Sequence, residues 1–170
     1  MHWIYWMKKQ LSTSQPTSKI YRKGVGIMLL NKERKIFVGQ RFDKDKSAWQ
    51  MPQGGIDKGE KSIEALKREL EEETGIKNNY KIIRESKKKY KYELPSYLQK
   101  KLWRGRFKGQ EQRWFLLQFI GIDSEINIQT EKPEFKKWKW VSKKELIKII
   151  VPFKKELYIN VLNEFKDELV

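Results

Sequence analysis

The sequence contains no cysteine, and its single histidine is His2. Without cysteine there can be no disulfide, thiolate metal site or thiol nucleophile. A lone terminal histidine removes imidazole metal clusters and Ser-His-Asp catalysis from consideration. No apolar run approaches the roughly 20 residues of a membrane span. The apolar patch WIYWM at 3–7 comes before Lys8 and Lys9, the reverse of a secretory leader. These absences fit a reducing, cytoplasmic setting and no membrane partner. Acid–base or metal chemistry is left to carboxylates, lysines and tyrosines.

What is present is basic. The 170 residues carry 38 Lys and Arg against 22 Asp and Glu, a formal charge of +16. Lysines (30) far outnumber arginines (8), a bias that AT-rich coding also produces without any function. The distribution is more informative. Residues 81–113 hold twelve basic residues and three acids, which points to a polyanion such as nucleic acid or polyphosphate. The length suits one domain with a real core. Residues 1–19 read as a flexible N-terminal extension and 20–170 as the folded domain. Oligomeric state stays open, with a monomer favoured.

Along the chain, VGIMLL (25–30) and KIFVGQRF (35–42) read as paired strands joined by the NKER turn. Pro52 and the Gly54–Gly55 pair interrupt regular structure. Ile63, Leu66 and Leu70 recur at i, i+3 and i+7, predicting a helix from about Glu60 to Gly75. KIIRESKKKYKYEL (81–94) reads as a polar edge strand, 96–112 as a basic, aromatic loop, and RWFLLQFIGI (113–122) as a buried strand. FKKWKWVS (135–142) is a further strand. Two helices follow, and Phe153, Leu157, Val161, Phe165 and Leu169 form a core stripe on the second. The order predicts a single mixed α/β domain.

The segment GGIDKGEKSIEALKRELEEETGI (54–76) gathers seven of the 22 acids. On a helix, Glu69, Glu72 and Glu73 share a face about 100° wide, and Glu71 points away into solvent. Arg68 is spaced to pin Glu64 and Glu72. A solvated acidic face is the ordinary explanation for such a helix. Two costs oppose it. Like charges at these spacings repel by a few tenths of a kcal/mol per pair, and acids in a last turn oppose the helix dipole by ~0.3–1 kcal/mol each. A bound cation would offset both. Carboxylates without His or Cys select Mg²⁺ or Mn²⁺.

Gly54, five residues, Glu60, seven residues, then Arg68-Glu69-Leu70-x-Glu72-Glu73-x-Gly75-Ile76 matches all nine fixed positions of the Nudix signature. The chain resembles the Nudix hydrolases, which cleave nucleoside diphosphates linked to another group with Mg²⁺ or Mn²⁺. The resemblance implies an α/β/α sandwich with a mixed central sheet and the signature as loop–helix–loop. It implies metal ligation by Glu69, Glu72, Glu73 and Glu134, with the Gly54 carbonyl, and supporting structural roles for Glu60 and Arg68. The base is expected among Glu73, Glu134 and Glu72, in that order.

WQMPQGG (49–55), GQEQRWFLLQF (109–119) and PEFKKWKWVS (133–142) are similar to the bacterial RNA pyrophosphohydrolase group, also described as dinucleoside polyphosphate hydrolases or invasion-associated proteins. Those enzymes convert 5′-triphosphorylated RNA to 5′-monophosphorylated RNA and so promote decay. The resemblance implies Mg²⁺ as cofactor, with Mn²⁺ a possible substitute. It implies an RNA 5′ end as substrate, or alternatively a dinucleoside polyphosphate. Positions matching the group's RNA contacts are Arg22, Arg41, Tyr92, Gln110, Phe153 and Lys154. Each has an ordinary alternative: Phe153 as core, Tyr92 as an edge-strand residue, Lys154 as a surface charge. Trp49 reads more as a core anchor than as a base platform. The loop 100–108, KKLWRGRFK, matches no motif.

Overall fold

The computed structural model describes residues 20–42 and 48–169. The extension assigned to residues 1–19 lies outside them. Seven strands form one mixed sheet: β1 (Ile20–Leu30), β2 (Ile36–Arg41), β3 (Trp49–Gln50), β4 (Gln53–Gly55), β5 (Tyr80–Glu93), β6 (Phe107–Phe119) and β7 (Phe135–Val141). The main path runs β3-β2-β1-β6-β5, with β4 added on β1 and β7 on β2. The central β1–β6 pair is parallel, and the other strand pairs are antiparallel.

Alternation along the strands builds two cores. Val25, Ile27 and Leu29 of β1, Phe37 of β2, and Phe115 and Leu117 of β6 meet Ala65, Leu66 and Leu70 of helix α1 (Ser62–Thr74). The intervening Met28, Leu30, Ile36, Val38, Trp114 and Leu116 meet the C-terminal helices α3 (Lys143–Ile149) and α4 (Lys155–Glu164) on the other face. The result is an α/β/α sandwich. Each fully buried aliphatic or aromatic side chain contributes roughly 1.5–3 kcal/mol, so both apolar faces of the sheet need a helical cover.

Local chemistry sets the boundaries. The Asn31 side chain accepts from the backbone N–H groups of Glu33 (3.0 Å) and Lys35 (2.9 Å), closing the β1–β2 turn. Helix α1 stops at Gly75, whose φ of 74° is left-handed, and the Gly75 N–H donates back to the Glu71 carbonyl. Ser142 caps α3 by accepting from Glu145 N.

Four expectations change. The stretch 96–112 is not a loop. It forms α2 (Ser96–Lys101), a 3₁₀ turn (Leu102–Gly105) and the first half of β6. Gln110 and Gln112 are buried there because β1 and β5 flank them on both sides, and their polarity had masked the strand. Gly54 and its neighbours are not irregular, because β4 pairs with β1 through Gly24↔Gly55 and Val25↔Gly54. The C-terminal helix begins only at Lys155, so Phe153 falls on the preceding 3₁₀ turn and leaves the core stripe. Finally, Arg84 of the basic 81–113 stretch is neutralised from outside it, by Glu168 at 2.7 Å and Glu164 at 3.4 Å, while the stretch's own acids pair inside it: Glu85 with Arg113 at 3.1 Å, Glu93 with Lys108 at 3.5 Å and Glu111 with Lys91 at 3.6 Å.

Candidate active site

Helix α1 lays its C-terminal half against β4, and that contact creates the acidic site. Glu69 is 9% exposed and Glu73 5% exposed, whereas Glu72 and Glu71 face solvent. Gly54 is where the helix comes closest. A Cβ there would stand 1.9 Å from the Glu69 carboxyl carbon, so only glycine lets the carboxylate approach the β4 backbone. The Gly54 carbonyl oxygen lies beside Gly24, again where a Cβ would collide. Glu73 accepts a hydrogen bond from Gln53 N at 3.1 Å.

Arg68 organises the outer side. Its Nε and Nη2 donate to both oxygens of Glu60 at 2.8 Å, and Nη2 also reaches the Gly55 carbonyl at 2.8 Å. Its Nη1 donates to Glu69 at 2.7 Å and to Glu72 at 3.3 Å. The expected Glu64 partner is absent: Glu64 instead accepts from Lys61 N at 3.1 Å, because it sits in the first turn where backbone donors are open. One guanidinium thus ties the loop after β4 to the helix.

These contacts divide the carboxylates electrostatically. The Arg68 hydrogen bonds hold Glu60 down at about 2. Burial, opposed by Arg68, pushes Glu69 up to about 7. Burial also drives Glu73 well above the usual carboxylate range, and the neighbouring charges of Glu69 and Glu134 add to it. Two desolvated acids side by side favour protons or a cation. Among the described residues, no three carboxylates converge into a closed metal cage, since Glu69 and Glu72 both lean on Arg68. The donor set still fits a hard divalent ion. It offers only oxygen ligands, in a cradle opened by two glycines, with charge that needs compensation. Glu134 enters from the turn before β7 and lies 3.8 Å from Arg41.

Next to the acids is a cavity of about 350 Å³. Arg41, Tyr92, Phe153 and Lys154 line it together, as do Trp49, Tyr97 and Trp103. The Tyr92 and Phe153 rings are 6.1 Å apart at a 41° tilt. Lys154 is no surface charge. It is 2% exposed, donates to Gln50 at 3.0 Å and lies 5.0 Å from the Tyr92 ring. Trp49 is half-buried at the cavity wall with Lys139 over its ring. Gln110 does not line the cavity. It is buried and accepts from Gln112 at 2.5 Å. Arg22 also stands outside the lining, between Gly55 and the Trp103 ring.

Sequence reasoning passed over Gln53, which joins the two parts. Its backbone holds Glu73, and its side chain donates to the Tyr92 hydroxyl at 3.2 Å and accepts from Gln112 at 2.8 Å. The available signal was its place in WQMPQGG (49–55), one of the stretches that carry the resemblance. Trp103 was also passed over, in the unmatched 100–108 stretch.

A NUDIX domain model matches residues 20–161, and the chain belongs to that family. It is 55% identical over 150 residues to the RNA pyrophosphohydrolase of Rickettsia canadensis (strain McKiel), covering 88% of this chain and 92% of the relative. Identity is also 55% over 146 residues with the RNA pyrophosphohydrolase of Rickettsia bellii (strain OSU 85-389), covering 86% and 90%. Among solved structures, the E. coli dihydroneopterin triphosphate pyrophosphohydrolase superposes with a TM-score of 0.62 at 19% identity, over 84% of this chain and 97% of that one. That likeness bears on the fold alone. No helix among the described residues is long and apolar enough to cross a membrane.

Proposed function

We propose that the protein is a divalent-metal-dependent RNA 5′-pyrophosphohydrolase, converting 5′-triphosphorylated RNA to 5′-monophosphorylated RNA and so promoting decay. The observation that carries it is the join between two desolvated carboxylates, Glu69 and Glu73, and an aromatic, cationic cavity, made by Gln53. The 55% identity to proteins named RNA pyrophosphohydrolase, over most of both chains, supports the choice of substrate.

Glu69, Glu72, Glu73 and Glu134, with the Gly54 carbonyl, would hold Mg²⁺, or Mn²⁺ in its place. A bound divalent ion supplies neutralisation of polyphosphate charge and a more acidic water. Glu73 takes the water's proton: among the described residues it is buried against β4, accepts only from Gln53 N and carries no arginine partner, and burial raises its proton affinity above that of an ordinary carboxylate. Glu134 and Glu72 are more exposed and each already faces an arginine, which suits them less to that role. Glu60 and Arg68 fix the loop and helix that present the ligands. Arg22, Arg41 and Lys154 hold phosphate oxygens, Tyr92 and Phe153 stack on a base, and Gln110 keeps Gln112 and Gln53 in place.

The test is product analysis with 5′-triphosphorylated RNA, with and without Mg²⁺, in competition with diadenosine tetraphosphate. Monophosphorylated RNA formed only with the metal is the expected result. A higher kcat/KM for the dinucleotide would replace the RNA assignment.

A further inference from the structure

The turn after α2 carries a conformation that needs a reason. Trp103 (φ 50°), Arg104 (φ 58°) and Gly105 (φ 70°) are three consecutive left-handed residues. Glycine adopts this region freely, but a bulky indole there is an outlier, and such outliers collect at functional sites. The turn presents the Trp103 ring to Arg22 of β1, whose guanidinium carbon lies 5.2 Å from the ring centroid. Phe107 braces the indole edge-on, with centroids 6.0 Å apart at 78°.

Arg22 in turn sits between the two halves of the site. Its guanidinium occupies the space where a Gly55 Cβ would be, and its charge is felt by Glu69. Among the described residues, the Arg22 guanidinium forms no ion pair and donates no hydrogen bond. A ring-face contact fixes a guanidinium while leaving its N–H donors available for polyphosphate oxygens. A carboxylate partner would have used those donors and cancelled the charge.

We propose that Trp103 is a positioning residue for Arg22: the left-handed turn holds the indole so that Arg22 is aimed, with its donors open, at the polyphosphate beside Glu69. This deepens the proposed function and rests on it for the identity of the polyphosphate. It gives the unmatched 100–108 stretch a task separate from bulk electrostatic attraction.

A double-mutant cycle tests the coupling. Wild type, W103A, W103F, R22A and R22A/W103A are compared on 5′-triphosphorylated RNA with Mg²⁺. W103A should lower kcat/KM about tenfold, W103F should recover most of that, and the double variant should be no worse than R22A. Additive losses would overturn the proposal, as would a W103F no better than W103A. A second arm uses no turnover. The Arg22 Nε–Hε resonance, assigned by its loss in R22A, should carry a ring-current shift in wild type that W103A abolishes. Inorganic triphosphate should shift this resonance at about tenfold lower concentration in wild type than in W103A. An Arg22 signal indifferent to W103A, or equal triphosphate midpoints, would overturn the proposal whatever the enzyme cleaves. Intact RNA in the wild-type assay would instead overturn the functional reading, while the resonance arm still decides the role of Trp103.

Discussion

Arg68 grips Glu60 with two parallel hydrogen bonds, Nε to Oε2 and Nη2 to Oε1, both 2.8 Å. The fork holds the loop after β4 onto helix α1 and leaves Nη1 for Glu69. Breaking it should therefore disturb stability and catalysis together. E60Q keeps the shape but removes the charge assistance, and should cost roughly 1–3 kcal/mol in urea unfolding at pH 7. Because Arg68 holds Glu60 near 2, below its ordinary 4.5, the stabilisation is complete above about 4.5 and is lost as pH falls toward 2. The stability gap between wild type and E60Q should narrow over that range. A gap that is constant from pH 7 to pH 3 would count against the ion pair.

Glu73 is tested by removing its charge without changing its size. E73Q should lower turnover by roughly 10²–10⁴-fold, the range for a lost general base, while RNA binding stays measurable. Thermal melts give an independent reading. Mg²⁺ should raise the Tm of wild type and raise that of E69Q and E73Q much less. Chelation should return wild type to the metal-free Tm and abolish hydrolysis.

Gly54 should be needed for the site rather than for the fold. A Cβ there meets the Glu69 carboxylate first, the end of a flexible side chain, so that carboxylate must swing out of the site. G54A should weaken the Mg²⁺-induced rise in Tm and lower activity by at least about tenfold, consistent with overpacking at a tight contact. Full activity in G54A would show that the Glu69 approach is dispensable.

Phe153 and Tyr92 should act on substrate affinity. Phe153 is half-buried at the cavity wall, so F153A should change stability little. Loss of one stacking face is worth ~1–3 kcal/mol, so KM for triphosphorylated RNA should rise by about 5- to 100-fold with kcat less affected. An equal fall in kcat with unchanged KM would place Phe153 elsewhere in the reaction.

Tyr158 tests the core beneath the cavity, in the same cluster as Tyr92. It is fully buried, and its hydroxyl accepts a hydrogen bond from Met51 N at 2.7 Å. Y158F leaves that N–H buried without a partner and should cost about 1–3 kcal/mol in denaturant unfolding.

The sequence showed its secondary structure best where periodicity was strong. Ile63, Leu66 and Leu70 marked α1, and Gly75 marked its end, because a 3.6-residue repeat and a left-handed stop are local properties. The signature spacing placed Glu69 and Glu73 on one helical face for the same reason. Strand β6 was half hidden. Gln110 and Gln112 look like loop residues until β1 and β5 are seen to flank them. The Arg68 pairing was legible only in part: helix spacing offers Glu72, which is a partner, and Glu64, which is not, while only the fold brings Glu60 into reach.

By itself, then, the sequence determined the mixed α/β class, the acidic helix face and the absence of cysteine chemistry, all of which follow from composition and short-range spacing. Only the tertiary structure decided which acids are desolvated, because burial of Glu69 and Glu73 depends on β4 lying against α1. It also decided that Lys154, Tyr92 and Phe153 share one cavity, and that Trp103 meets Arg22 across 81 positions of chain. Those are long-range contacts, and no local pattern encodes which distant residue will close on which.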